Sequence, residues 1–143
     1  MDAIDNITAK VHLLATCMKR GIPVVSCMGA AGKLDPTQIK IDDLAKTHTD
    51  PLARAVRRIL REKYDIDTSK RVGVQTVFSA ENRHEPQSLS YDGTAGFMCI
   101  CPTKGNNLHG CETRNLIEGT VSFVTGTFGL MAASVVVREL TGR

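Results

Sequence analysis

The 143-residue sequence has no tryptophan and few other aromatic residues, only two Tyr and four Phe. A hydrophobic core must therefore be built mainly from Val, Leu, Ile, Ala and Met. Net charge is also low, formally +3, which is too small to identify a nucleic-acid-binding protein by charge alone. The composition, 42% hydrophobic and 23% charged, is that of a single ordinary globular domain and excludes a disordered chain.

The sequence lacks a secretory signal and a long hydrophobic run. Its N-terminus is acidic rather than basic, and its five cysteines are an odd number, so we expect a reduced, cytoplasmic protein. The uncharged run from Val121 to Val137 is shorter than the ~20 residues of a membrane span and contains several Ser and Thr. We interpret this run as a buried helix.

Pairs of the form Cys-x-x-Cys are absent as well. Cys99 and Cys101 are separated by one residue, which is poor spacing for structural zinc even with His109 and Cys111 nearby. We therefore expect no zinc. Cys111 by itself lies in a polar stretch near His109 and Arg114, and such surroundings favour a thiolate.

Strand and helix patterns alternate in the first half of the chain, which predicts an α/β fold. Asn6 is a favourable N-cap for a first helix that stops at Gly21, and Asp50-Pro51 is a favourable start for a second. Too few strands are predicted to cover both faces of a sheet, so we expect an incomplete sheet with Cys17 and Cys27 in its core. The other predicted segments are strands at 22–28, 37–41 and 72–79, a weakly structured stretch at 80–115 with a short strand at 96–101, and a final helix at 120–140.

Asp5-Asn6 lies directly before the first helix, at a position where a strand would precede that helix in an α/β fold. In open α/β sheets ligands bind at the carboxyl ends of strands, where a carboxylate can hold Mg²⁺ on nucleotide phosphates. The alternative is that Asp5 only caps the helix. Glu81, just after another predicted strand, is a similar case: it is an acid or base at a strand end, or an ordinary surface glutamate.

The second predicted helix is amphipathic. Leu52, Val56, Ile59 and Leu60 form its apolar stripe, and four arginines repeat at spacings of three and four on the other side: Arg54, Arg57, Arg58 and Arg61. Arginines in such an array can pair with the phosphates of a nucleic acid. The alternative is a solvated helix face balanced by Glu62 and Asp65.

Taken in order, several motifs resemble those of one enzyme family. The segments Asp2–Asn6, Lys10 with Cys17, and Ile22–Val25 resemble the central part of the ThiF/MoeB/HesA adenylating superfamily, which is of the ubiquitin-activating type. Further segments resemble its tRNA threonylcarbamoyladenosine dehydratase branch, namely 35–39, 43–47, 50–53, 77–79 with Glu81, and 127–129. The resemblance covers nearly the whole chain and is loose between residues 82 and 118.

The resemblance implies a Rossmann-like fold and an ATP- and Mg²⁺-dependent ligase-type enzyme. Such an enzyme adenylates the carboxylate of threonylcarbamoyladenosine in tRNA, and the activated carboxyl closes into a ring with net loss of water. Asp5 matches the metal- and ATP-binding aspartate, and Asn6 beside it is a second cofactor-binding candidate. The resemblance makes Asp5 and Lys10, which lies on the same site-facing helix, candidate catalytic residues. Cys111 corresponds loosely to a cysteine of some members and is the third catalytic candidate. The resemblance also implies tRNA as a partner for the arginine helix, a homodimer, and a sulfur-transfer protein as a further candidate partner.

The glycine-rich nucleotide loop of the superfamily would precede residue 1. We therefore expect residues 1–143 to be the C-terminal part of the adenylating domain, and to be inactive alone. Two other functions stay open: adenylation of a ubiquitin-like or sulfur-carrier protein, whose enzymes typically carry Cys-x-x-Cys zinc pairs, and a non-catalytic dimerisation or tRNA-binding module. In a eukaryote, association with the mitochondrial outer membrane is the alternative location.

Overall fold

The computed structural model describes residues 1–85 and 119–143, and within these ranges it has three α-helices and a three-stranded sheet. The elements are α1 (Ile7–Lys19), β1 (Val25–Cys27), β2 (Ile39–Asp43), α2 (Pro51–Tyr64), β3 (Gln75–Ser79) and α3 (Ser122–Thr141). Short 3₁₀ helices at Pro36–Gln38 and Leu44–Lys46 flank β2. The predicted α/β class is confirmed. The predicted strand at 96–101, and the weakly structured stretch beyond residue 85, lie outside the described residues.

The sheet is mixed and has the order β1-β3-β2. β1 and β3 are parallel, with Val25 opposite Gln75, and β2 runs antiparallel to β3, with Ile39 opposite Ser79. Asp2 adds an isolated parallel bridge to Ser26 on the other side of β1. The carboxyl ends of the Asp2 segment, β1 and β3 therefore meet at one edge of the sheet.

All three strands begin later than predicted, β3 at Gln75 rather than residue 72, and the starts of β1 and β2 have a local cause. β1 begins at Val25 rather than residue 22, because Ile22 is exposed and its N–H bonds to the carbonyl of Cys17 at the end of α1. β2 begins at Ile39 rather than residue 37, because Asp35 caps a 3₁₀ turn by accepting the N–H of Thr37 at 2.9 Å. In both cases a local hydrogen bond competes with strand pairing.

The helices cover the two faces of the sheet in separate layers. α1 and α2 pack together on the face that includes Phe78, and α3 packs on the face that includes Val77. These two residues are consecutive in β3, so their side chains point to opposite faces.

Cys17 is buried and Cys27 half-buried, and both are free thiols. Burial raises the pKa of the Cys27 thiol, although Lys10 opposes the shift, and this direction disfavours the thiolate.

The prediction that the uncharged run forms a buried helix is wrong in one respect. The run is helical, but only Val124, Phe128 and Ala132 are buried, on one stripe against the sheet. Leu130 is 75% exposed on the opposite side. By length and composition alone α3 could cross a membrane, which is weak evidence because core helices of soluble proteins pass the same test.

The side of α3 that faces away from the sheet is a continuous small and apolar stripe, called here the exposed seam. Its members alternate at spacings of three and four residues: Phe123, Gly126, Leu130, Ala133, Val137 and Leu140. Alternation of three and four is the a/d pattern with which helices pair in coiled coils.

Candidate functional site at the carboxyl ends of the strands

A cleft of about 780 Å³ opens at the sheet edge where the Asp2 segment and β1 end. It lies between the start of α1, the loop after β1 and the start of α2, and is called here the strand-end cleft. Its lining is Asp5, Ile7, Met28, Gly29, Ala30, Ala31, Lys33, Asp50, Pro51, Leu52, Ala55, Arg83 and Thr120. Ligands of open α/β sheets bind at this kind of edge, so the cleft is the candidate site.

Asp5 lies at the mouth of the strand-end cleft, in the turn between the Asp2 bridge and α1. Asn6, not Asp5, caps α1, since the Asn6 side chain accepts the N–H of Ala9 at 3.1 Å. The interpretation of Asp5 as a helix cap is therefore wrong, and the predicted Asn6 cap is confirmed. The Asp5 side chain is exposed and accepts no hydrogen bond from any residue in the described ranges, so its carboxylate is available to a ligand.

Lys10 is completely buried and turns away from solvent. Its ammonium donates to Asp2 Oδ2 at 2.6 Å, to the Cys27 carbonyl at 2.8 Å and to Ser26 Oγ at 3.2 Å. An ammonium has three donors, so all of them are used within the chain. A direct catalytic role for Lys10 stays a prediction, whereas its geometry is that of a group that fixes α1 to the end of the first strand.

Asp2 was not identified from the sequence, although it is the partner that makes a buried lysine possible. Its Oδ2 accepts from Ser26 Oγ at 2.5 Å as well as from Lys10, and its Oδ1 accepts the N–H of Ile4 at 2.9 Å. The signal in the sequence was Lys10 itself, four residues before Leu14 on the buried stripe of α1. A lysine on such a stripe needs a buried carboxylate as partner.

Asp50 joins the loop after β1 to α2. Oδ1 accepts the N–H of Ala53 at 2.9 Å as the predicted N-cap, and Oδ2 accepts the N–H of Gly29 at 2.9 Å. A Cβ on Gly29 would lie 3.4 Å from the Asp50 carboxylate oxygens, so the carboxylate sits directly against this glycine. From the four small residues Gly29, Ala30, Ala31 and Gly32 alone one would predict a flexible loop, but this hydrogen bond fixes the loop after β1 against α2.

Glu81 fixes the same loop from the other side. Its carboxylate is buried and accepts the N–H of Leu34 at 3.0 Å, the N–H of Asp35 at 3.0 Å and a ring nitrogen of His84 at 3.0 Å. Burial acts to raise the pKa of Glu81, but these hydrogen bonds outweigh it and hold the pKa below its usual range. Glu81 is thus neither a surface residue nor a free acid or base.

Gly32 is required where the loop meets the segment after β3. Its φ is +67°, and a Cβ there would lie 2.8 Å from the His84 carbonyl oxygen. The Gly32 carbonyl also accepts the N–H of His84 at 2.8 Å. Lys33 follows directly and is buried in the strand-end cleft, where its ammonium donates to the carbonyl oxygen of Glu81.

The four predicted arginines of α2 do not all share one exposed face. Arg54, Arg58 and Arg61 are exposed and are called here the arginine face. Arg57 is half-buried and donates to the carbonyl of Thr47 at 2.7 Å and to the Thr47 hydroxyl. Burial and the neighbouring Arg61 and Arg54 lower its pKa, opposed by Asp50. The expectation of four solvent-facing arginines is therefore corrected for Arg57, which anchors the turn before α2.

Cys111, the third predicted catalytic residue, lies outside the described residues, as do Cys99, Cys101 and His109. Within residues 1–85 and 119–143 no group of three or more His, Cys, Asp or Glu side chains could hold a metal ion. A metal at the strand-end cleft would thus take few ligands from these two ranges.

A second cleft, of about 620 Å³, lies at the opposite edge of the sheet. It is lined mainly by apolar side chains from the ends of α1 and α3 and the starts of β1 and β3, including Met18, Ile22, Val72 and Leu140. Among the described residues that line it, Glu139 has the one charged side chain. Because ligand sites of α/β sheets lie at the carboxyl ends of the strands, we assign function to the strand-end cleft.

The chain is similar to curated proteins along its whole length. It is 37% identical over 145 residues to the tRNA threonylcarbamoyladenosine dehydratase of Escherichia coli, and the aligned region covers 100% of this chain and 52% of the relative. It is 49% identical over 82 residues to the Bacillus subtilis enzyme of the same name, covering 57% of this chain and 30% of that protein. The chain thus spans about half the length of the E. coli relative. No protein-family model matches.

Solved structures give the same result. The E. coli enzyme TcdA in complex with AMP superposes with a TM-score of 0.73 at 33% identity, over 97% of this chain and 46% of that one. Its complex with ATP superposes with a TM-score of 0.72 at 32% identity, over 99% of this chain and 46% of that one. Sequence and fold therefore agree on the same relatives.

Proposed function

Since the chain is similar in sequence and fold to the C-terminal part of the tRNA threonylcarbamoyladenosine dehydratases, we propose that it supplies that part of such an enzyme. The reaction would be ATP-dependent and of the ligase type. The carboxylate of threonylcarbamoyladenosine in tRNA attacks the α-phosphorus of ATP and releases pyrophosphate. Ring closure onto the resulting acyl-adenylate then releases AMP, so the net change in the RNA is loss of water.

The observation that carries this proposal is the available carboxylate of Asp5 at the strand-end cleft. Mg²⁺ in nucleotide sites commonly takes one or two carboxylates together with substrate phosphates and water. Asp5 fits that role because its carboxylate is exposed and accepts no hydrogen bond among the described residues. Asp50 does not, because both of its oxygens accept backbone N–H groups. When bound, Mg²⁺ would offset charge on the phosphates.

Lys10 would support this site by positioning rather than by contact with substrate. Its three hydrogen bonds join α1 to Asp2, Ser26 and Cys27, and Asp5 lies in the turn between Asp2 and α1. Holding both ends of that turn keeps the Asp5 carboxylate at the cleft mouth. Asn6 contributes in the same way, because its side chain caps α1 and fixes the first turn of the helix.

The arginine face is the proposed tRNA contact. Arg58 forms an exposed pair with Glu62 at 3.2 Å, and Arg61 donates to Thr68 Oγ1 at 2.7 Å. An exposed ion pair contributes little, about 0–1 kcal/mol, so Arg58 can exchange Glu62 for a phosphate at small cost. Arg54 is exposed one turn earlier, which extends the positive charge along α2.

Self-association through the exposed seam is the proposed basis of a homodimer. Four large side chains of the seam are more than half exposed: Leu140 at 81%, Leu130 at 75%, Val137 at 57% and Phe123 at 55%. Apolar stripes of this kind mark protein interfaces. Gly126 and Ala133 between them would let a second helix approach closely.

The test is a calorimetric titration of Mg²⁺-ATP into the wild-type chain and into Asp5→Asn. Asp65→Asn is the matched control, because Asp65 is exposed and its left-handed conformation suits Asn equally well. We expect binding that Asp5→Asn weakens and Asp65→Asn leaves unchanged. Equal binding by all three proteins would contradict the role of Asp5.

Pyrophosphate release separates the alternatives, and it is measured in a longer protein that includes the nucleotide loop because residues 1–143 are expected to be inactive alone. Release that depends on tRNA supports the proposed enzyme, and release that depends on a carrier protein with a C-terminal carboxylate supports the carrier-activating function instead. Binding of tRNA with neither ATP binding nor pyrophosphate release would leave a non-catalytic tRNA-binding module. The exposed arginine face is the observation that favours this second candidate.

A further inference from the structure

Lys33 is deeply buried but makes few contacts through its charged end. The residue is 2% exposed, and its ammonium donates to one acceptor in the described ranges, the carbonyl oxygen of Glu81. An ammonium has three N–H donors, and a buried donor without an acceptor is unfavourable. Two donors of Lys33 thus remain for another group.

The two carboxylates nearest to Lys33 are bonded elsewhere. Asp50 accepts the N–H groups of Gly29 and Ala53, and Glu81 accepts those of Leu34 and Asp35. No carboxylate of the described residues lies within ion-pair distance of the Lys33 ammonium. Burial lowers the pKa of Lys33 while Asp50 and Glu81 oppose the shift, as expected for a cation near carboxylates that do not contact it.

The ammonium is also held in one place. Lys33 lines the strand-end cleft together with Asp5, and the loop that carries it is tied to α2 through Gly29 and to the segment after β3 through Gly32. A cation fixed by its scaffold binds an anion without first losing much conformational freedom. This arrangement differs from that of an ordinary surface lysine.

We propose that the Lys33 ammonium binds an oxyanion of the substrates in the strand-end cleft, either a nucleotide phosphate or the carboxylate of the threonylcarbamoyl group. The identity of these anions rests on the proposed function. The inference that Lys33 binds an anion rests on the burial of its side chain, on its single hydrogen-bond acceptor among the described residues and on its position in the strand-end cleft. In this arrangement Asp5 would bind a cation and Lys33 would bind an anion.

The experiment is a nuclear magnetic resonance titration of the full 143-residue chain with two separate probes. AMP represents the phosphate source, and N-carbamoyl-L-threonine represents the carboxylate source. The variants are Lys33→Met, Lys33→Gln and Lys33→Arg, with Lys46→Met as control because Lys46 is exposed and does not line the cleft. Lys33→Gln keeps a donor for the Glu81 carbonyl, so it decides the test if Lys33→Met does not fold.

We expect Lys33→Gln to weaken binding of one probe by about tenfold or more, the size of one lost charge-assisted hydrogen bond. Lys33→Arg should recover part of the affinity, and Lys46→Met should leave it unchanged. The probe that is affected identifies the anion. Wild-type affinity in Lys33→Gln, or no binding of either probe to the wild-type chain, would overturn the role of Lys33.

Failure of this inference is distinguishable from failure of the proposed function. Binding that depends on Lys33, without tRNA-dependent pyrophosphate release, would support the anion site and contradict the enzyme. Pyrophosphate release that persists in Lys33→Gln with unchanged probe affinity would support the enzyme and remove Lys33 from its site.

Discussion

Asp50 accepts the N–H of Gly29 at 2.9 Å across 21 residues of sequence and thereby joins the loop after β1 to the start of α2. The same carboxylate caps α2 through Ala53. One buried side chain thus sets two walls of the strand-end cleft, and the distance between those walls depends on it.

Substitution of Asp50 should lower the free energy of unfolding, and Ala should lower it more than Asn. Asn can satisfy only one of the two N–H donors, so Asp50→Asn should lower the free energy of unfolding by about 1 kcal/mol. Ala satisfies neither, so Asp50→Ala should lower it by about 2 kcal/mol or more. Urea unfolding followed by circular dichroism measures both values. Asp35→Ala is the comparison, because Asp35 caps an exposed 3₁₀ turn; a loss as large as that of Asp50→Ala would argue against the importance of the Gly29 contact.

The buried pair of Lys10 and Asp2 should behave as a unit. Removal of one partner from a buried ion pair typically lowers stability by about 3–5 kcal/mol, because the other charge is left uncompensated. We expect Lys10→Met and Asp2→Asn each to destabilise strongly, and the double variant to lose clearly less than their sum. A double-mutant cycle of unfolding free energies tests this expectation. Additive losses would mean that the two side chains act independently.

Binding of tRNA should depend on the arginine face and only weakly on Arg57. Each of Arg54→Gln, Arg58→Gln and Arg61→Gln should reduce the affinity and also its dependence on salt concentration, by up to about one phosphate contact per residue. Arg57→Gln should instead lower thermal stability, because it loses the hydrogen bonds to Thr47. Affinities measured across a series of KCl concentrations separate the two effects. A salt dependence that no variant changes would rule out this face as the contact.

Acid should weaken the fold partly through Glu81. Hydrogen bonds hold the pKa of Glu81 below its ordinary value of 4.5, so the folded state favours the carboxylate. The stabilisation is therefore present above the ordinary value and is lost as pH falls through the lower pKa of the folded state. Glu81→Gln should be less stable than the wild type at pH 7 and should lose less stability between pH 5 and about 3. Parallel losses in the two proteins would remove Glu81 from the acid response.

Charge placed on the exposed seam should reduce self-association. Leu130→Lys and Val137→Lys would each require an ammonium to enter an apolar interface, whereas Thr125→Lys lies on an exposed part of α3 outside the seam. Sedimentation velocity over a range of concentrations measures the dimer fraction. We expect dimers of the wild type and of Thr125→Lys, and monomers of the other two. A monomeric wild type would mean that the seam does not pair with a second copy.

The sequence predicted features that depend on neighbouring residues. The starts of α1 and α2 are determined by Asn6 and Asp50, whose side chains bond three residues ahead, and the structure confirms both. Strand boundaries were predicted less well, because they depend on which of several competing acceptors bonds to the backbone N–H groups. Ile22 shows this clearly, since its N–H is taken by α1 rather than by the sheet.

Contacts between residues that are far apart in the sequence could not be predicted from local patterns. Nothing near Glu81 shows that its carboxylate accepts backbone groups 46 and 47 residues earlier. Composition likewise showed that α3 is apolar without showing which part of its surface another element covers. Lys33 has no periodic signal, since it follows Gly32 in a loop, and only the fold reveals that it is buried.

The strand order β1-β3-β2 has a consequence for how the chain is made, because the central strand is the last of the three to be synthesised. β1 and β2 each pair with β3 and not with each other. At roughly 5–20 residues per second, the interval between β1 and β3 leaving the ribosome is on the order of 3–10 s. Until β3 emerges, β1 and then β2 each expose an edge that lacks its partner strand, so the yield in a cell should depend on chaperones that shield such edges.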